Sequence, residues 1–197
     1  MVINAEAGLA SPDRKVVFDA NVLYPIALTD FFLTLASYGL YLPHWSQKIL
    51  EEVEGNLLRN YPHITKEQLG FRFEQMERAY PNASVDPSTG LISAMTNDEK
   101  DRHVLAAAVK SQSSVIVTFN VRDFPSDSCQ PYGVEAQHPD TFAKEWVMFE
   151  PQAVIITLRK MSGRTRHPHL EVEEIANRLR RDLPHAIQHL LPLLETD

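Results

Sequence analysis

The acidic residues able to do chemistry fall in four separate stretches. In Lys15-Val16-Val17-Phe18-Asp19-Ala20-Asn21-Val22-Leu23, an apolar run ends abruptly in a carboxylate. That is how a buried parallel strand reads when its C-terminal tip carries function. Asp19 is therefore the first candidate, although Asp also commonly starts a turn after a strand. In Asp98-Glu99-Lys100-Asp101-Arg102-His103-Val104-Leu105-Ala106-Ala107-Ala108, helical spacing puts Asp101 on the face of Val104, Leu105 and Ala108. A charge in line with a core-facing stripe needs a partner. The plainer account has Asn97 or Asp98 capping the helix and Asp101 in its first turn, favoured by the macrodipole. Glu51, Glu52 and Glu54 ride on a helix whose buried side carries Ile49, Leu50, Val53 and Leu57, and spacing alone does not choose among the three. Finally, Val115-Ile116-Val117-Thr118 reads as a second buried strand followed by Asn120 and Asp123.

Carboxylates gathered in a poorly solvated cleft repel and raise one another's pKa. A hard divalent cation removes that penalty. Mg²⁺ or Mn²⁺ takes one or two carboxylates plus waters and phosphate oxygens, and serves to activate water for phosphoryl displacement.

The elements between these stretches must bring them to one edge. Phe31, Phe32, Leu35 and Ala36 form a helical stripe that stops at Gly39, and residues 40–43 predict a short strand. Ser46 is placed as the N-cap of a helix reaching Leu57 or Leu58, and residues 65–80 predict another helix closed by Pro81. Asp86-Pro87 and Thr89-Gly90 mark turns. Residues 134–136 predict a last strand and 139–146 a helix. This alternation means an α/β domain with a mostly parallel sheet, in which ligands gather at the carboxyl ends of the strands. Beyond Phe149 the pattern turns helical: residues 152–161, a break at Ser162-Gly163, then a longer helix from about Leu170 that Pro184 should kink or restart. The expected organisation is a loose tail over 1–13, an α/β domain over 14–147 and a C-terminal helical extension over 148–197.

At 197 residues the chain can bury one sizeable core, and a formal charge of −7 argues against a general nucleic-acid coat. It leaves room for a nuclease with a local basic strip. Seven of the 19 Lys and Arg lie between Arg159 and Arg181, and Arg164, Arg166 and Arg178 are the candidates for contacting RNA. A solvated helix face shared with Glu171, Glu173 and Glu174 is the bland account. One cysteine, Cys129, allows no intramolecular disulfide and points to a reducing cytoplasm. No run approaches the roughly 18 apolar residues of a membrane span.

Taken together, Phe18-Asp19-Ala20-Asn21-Val22-Leu23, Ile49-Leu50-Glu51-Glu52-Val53, the Asp98 to Ala108 stretch and the Val115 to Phe124 stretch resemble the four motifs of PIN domains, especially of VapC-type toxins. Gly133-Val134-Glu135 and Pro139-Asp140-Thr141-Phe142 are similar too, and the resemblance covers residues 14–146. It implies a PIN-like three-layer α/β/α fold with a mostly parallel central sheet, and a Mg²⁺- or Mn²⁺-dependent endoribonuclease. It further implies an RNA substrate and a silencing cognate antitoxin, and is compatible with a homodimer. On matching positions the metal-binding, catalytic acids would be Asp19, Glu52, Asp101 and Asp123, with Asn21 and Thr118 as supporting polar groups and Asn120 as an orienter. Some relatives carry an acid where this chain has Asn120, so the fourth carboxylate rests on Asp123. The C-terminal helices lie outside the resemblance and are expected to act as a cover or docking element.

Other readings compete. An aspartate-nucleophile phosphotransferase also begins with a strand-tip Asp, but wants a second acid where Asn21 stands. A catalytically idle RNA- or protein-binding module would keep the fold, with Asn120 as its support. His185 and His189 have a spacing zinc can use, without a third ligand in view. His103 is expected on the far side of its helix, at the surface. Cys129 has no activating neighbourhood to read. Tyr38, Tyr41 and Trp45 could stack bases, though core packing is the commoner use.

Overall fold

The computed structural model describes residues 13–194, so the expected N-terminal tail, Asp13 apart, lies outside the described residues. A four-stranded, all-parallel sheet forms the centre, in the order β2-β1-β3-β4. The strands are β1 (Lys15–Phe18), β2 (Leu42–His44), β3 (Val115–Val117) and β4 (Glu135–Gln137). Val16, Val17 and Phe18 are fully buried, as are Ile116 and Val117, because helices cover both faces. Phe18 packs against Phe32 and Phe142, with ring centroids 5.3 and 6.2 Å away. Tyr41 and Trp146 extend this aromatic cluster.

After β1 come α1 (Ala20–Leu23) and α2 (Ile26–Ala36), and after β2 come α3 (Gln47–Asn60), α4 (Lys66–Ala79) and α5 (Thr89–Ala94). A 3-10 turn, Glu99–Asp101, leads into α6 (Arg102–Ser111), which packs on β1 and β3. Beyond β3 lie a second 3-10 turn, Val121–Asp123, and the short α7 (Ser126–Cys129). After β4 follow α8 (Pro139–Phe149), α9 (Pro151–Arg164), α10 (Val172–Leu179) and α11 (Pro184–Leu194). Helix starts follow the capping residues: Ser46 accepts the Ile49 N–H, and Thr65 with Gln68 completes a capping box. Gly39, at φ +77°, takes the left-handed conformation that reverses the chain after α2.

Several local expectations are corrected. The second strand begins at Leu42 rather than Leu40, because Leu40 and Tyr41 are spent on the core before β2 pairs with β1. Thr89-Gly90 opens α5 instead of marking a turn, since Ser88 caps it through the Leu91 N–H. Helix α9 continues through Ser162-Gly163 to Arg164, with Ser162 buried and its hydroxyl donating to the Leu170 carbonyl. The last helical run forms α10 and α11, and of the two outcomes expected at Pro184, kink or restart, the structure has the restart, with Pro184 the first residue of α11. The C-terminal helices share one core with the α/β layers: α9 packs on α2, and α11 on α8. Among the described residues no helix is long and apolar enough to cross a membrane.

Candidate active site

Asp19 stands at the C-terminal tip of β1, where β-branched residues give way to a helix start, and it is both strand end and N-cap. Its Oδ1 accepts the Ala20 N–H at 2.6 Å. Its Oδ2 accepts from Asn21 Nδ2 at 2.6 Å and from Thr118 Oγ1 at 2.7 Å. Asn21 is held in turn by Thr118 Oγ1 at 3.1 Å and by the Phe119 N–H on its Oδ1. A carboxylate offers about four acceptor positions, so this arrangement leaves one open on Oδ1. Asp19 is 3 % exposed. Burial raises its pKa, Thr118 and Ala20 pull it back, and Glu52 pushes it up again.

Asp101 closes the 3-10 turn that precedes α6, at the helix's N-cap position, but its side chain makes no capping hydrogen bond. Its expected place within the helix is therefore corrected: Asp98 starts the turn by accepting the Lys100 N–H at 3.1 Å, and α6 begins only at Arg102. The Asp101 carboxyl is pushed up to about 6, first by burial and then by the negative charges of Asp19 and Asp123. Asp123 ends the turn after β3. Its carbonyl accepts from the Asp98 N–H and from Asn97 Nδ2, both at 3.3 Å, which ties the two acid-bearing turns together. Glu52 reaches the cluster from α3, half-buried, while Glu51 is exposed.

Asp101 feels the charges of Asp19 and Asp123, and Asp19 feels that of Glu52, so acids from four segments are linked in a chain beside the strand tips. Among the described residues, no three His, Cys, Asp or Glu side chains converge into a ready-made metal cage. The donor set is hard oxygen throughout, with an open position on Asp19 and like charges in need of compensation. That fits Mg²⁺ or Mn²⁺, which keep several waters and need few protein ligands, and does not fit a fully coordinated structural ion.

Other candidates fall elsewhere. Asn120 touches the site through its backbone N–H, 3.0 Å from Thr118 Oγ1, rather than through its exposed side chain. Arg164 turns back onto α2, 3.0 Å from Asp30 and 2.6 Å from Thr34 Oγ1, whereas Arg166 and Arg178 are exposed. His185 Nδ1 donates to Asp140, and His189 Nδ1 lies 2.8 Å from the His185 carbonyl. Tyr41 and Trp45 are core residues, while the half-exposed Tyr38 ring lies 5.4 Å from Lys160 Nζ. Cys129 is buried, which pushes its thiol pKa up.

His103 overturns its expected surface position. It is 6 % exposed, its Nδ1 donates to the Lys100 carbonyl at 2.9 Å, and its Nε2 lies 3.3 Å from Glu52 Oε1. Burial works against its positive form, but Glu52 and the Lys100 carbonyl outweigh it and hold the pKa above the ordinary value. The signal was available: five consecutive apolar residues, 104–108, follow it, so that part of α6 is buried nearly all round and offers no surface side.

A family model described as PIN domain matches residues 15–122, more than half of the chain. A protein of Mycobacterium tuberculosis named "Putative ribonuclease VapC50" is 58 % identical over 52 residues, which make up 26 % of this chain and 31 % of that protein. The match thus spans about a third of that relative's length.

Proposed function

Because this chain belongs to the PIN domain family, we propose that it is a Mg²⁺- or Mn²⁺-dependent endoribonuclease and the toxin of a toxin–antitoxin pair. The observation that carries this reading is the coupling of carboxylates from separate segments at the strand tips, with Asp101 pushed up to about 6 by burial and its acidic neighbours. The acids outnumber His103, the cationic candidate beside Glu52, so ion pairing offsets their charge only in part. The partial relative named as a ribonuclease supports the same chemistry.

In this reading Asp19, Asp101, Glu52 and Asp123 hold the cation, directly or through its waters. Thr118 and Asn21 donate to the Asp19 carboxylate and aim it, with one lone pair free for the cation, and Thr118 opposes the rise in its pKa. A bound cation would supply an activated water and would neutralise charge developing on the phosphate. The chain's own work is to orient the acids, to keep Asp19 out of bulk water and to hold the ion against the RNA backbone. The antitoxin would silence the site by setting an Arg or Lys against these acids. A cytoplasmic location and self-association belong to the same reading.

The test is internal cleavage of end-labelled RNA by purified protein. Cuts leaving 5′-phosphates that need Mg²⁺ or Mn²⁺ and vanish in Asp19→Ala support it. Tight RNA binding without cleavage would instead favour the idle module, and a trapped acyl-phosphate on Asp19 the phosphotransferase.

A further inference from the structure

We infer that His103 is a positioning residue: its imidazole ties the turn carrying Asp101 to the helix carrying Glu52, and so sets the spacing between those two acids. The inference rests on the metal-dependent reading given above. The two ring nitrogens face oxygen acceptors on two different segments. Nδ1 meets the carbonyl of Lys100, the residue before Asp101, at 2.9 Å, and Nε2 meets Glu52 Oε1 at 3.3 Å. Nε2 is buried and makes no hydrogen bond among the described residues, so its 3.3 Å approach to Glu52, whose side chain keeps 32 % of its surface exposed, is a charge contact.

Packing alone does not call for an imidazole at this position. Val104, Leu105 and Ala106, next to it on α6, are fully buried and apolar. What the ring adds is a hydrogen bond to the Lys100 carbonyl and an ion pair with Glu52, both made to segments bearing candidate metal-binding acids. Removing it would leave a partly buried carboxylate without its partner, and Glu52 would turn outward to water. Helix α3 and the Glu99–Asp101 turn would then lose a direct polar link.

The experiment is Mn²⁺ binding, followed by the loss of the free-ion electron paramagnetic resonance signal, with thermal melting as the check on folding. His103→Ala should weaken Mn²⁺ binding by about tenfold or more, the usual effect of removing a residue that orients a metal ligand. His103→Gln, whose amide reaches the Nε2 position, should recover part of the affinity. His103→Asn, whose amide reaches only the Nδ1 position beside Lys100, should not. In a Glu52→Gln background, His103→Ala should add little. A merely structural histidine predicts that Gln and Asn behave alike and that the losses add up, and either result would overturn the inference even if His103→Ala itself fails to fold. Wild-type binding that is lost in Asp19→Asn and untouched in His103→Ala would overturn this inference alone. Wild-type protein that takes up no Mn²⁺ would overturn the metal-dependent reading along with it.

Discussion

Thr118 Oγ1 donates to Asp19 Oδ2 at 2.7 Å, joining the tips of two paired strands through residues 99 positions apart in the chain. Thr118 is fully buried, so its hydroxyl has no water to turn to, and the bond both fixes the carboxylate and opposes the rise in its pKa. Thr118→Val keeps the shape and removes the donor. Cleavage should fall by about ten- to a hundredfold, while unfolding in urea should show a loss of only about 1–2 kcal/mol. Undiminished cleavage would make the hydroxyl a packing feature.

At Asp101 the sign of a pH effect follows from crowding. With its carboxyl raised from 3.8 to about 6, the folded state binds more protons than the unfolded chain between those values. Stability of the metal-free protein should therefore fall as pH rises through that window and stay lower above it. Asp101→Asn should melt higher than wild type at pH 7 and close to it at pH 4, and added Mg²⁺ should narrow the gap by stabilising wild type alone. Parallel melting curves across the range would contradict this.

Asp140 fastens the last helix to the domain. Its carboxylate accepts the Ala186 N–H at 2.9 Å, the His185 N–H at 3.2 Å and the His185 ring N–H, capping α11 from α8. Burial pushes its pKa up, but the Ala186 and His185 contacts outweigh that and hold it below the ordinary value. The contribution is present at neutral pH and is lost as pH falls through the depressed pKa. Asp140→Ala should cost about 1–3 kcal/mol and speed amide exchange first in α11. Exchange that rises uniformly, or not at all, would place the anchor elsewhere.

The basic segment divides by partner. Arg164 is committed to Asp30 and Thr34 on α2, so Arg164→Ala should loosen α9 more than it weakens RNA binding. Neutralising the exposed Arg166 and Arg178 together should reduce the salt slope of RNA binding by about 1.4, as expected for two phosphate contacts on a single strand. An unchanged slope would make them a solvated face.

The elements themselves were largely legible because their signals are local. An apolar run ending in Asp19, the Ser46 and Thr65 caps of α3 and α4, and a proline where α11 restarts each act within a few residues. The wheel nevertheless left Glu52 and Glu54 equal, and it set His103 on the wrong side. The choice between the glutamates depends on what lies across from the helix, whereas the apolar run 104–108 already argues against a surface position for His103.

By itself the sequence determined a parallel α/β domain, the strand tips at which its polar groups gather and a helical C-terminus, since periodicity, caps and turn residues depend only on near neighbours. Tertiary structure alone decided that Glu52 meets His103, that Arg164 folds back to Asp30, and that Asp140 caps α11 from another helix. Those choices rest on burial and on charges brought together from distant parts of the chain. The free energy of a charge is set by which neighbours and how much water the fold leaves beside it.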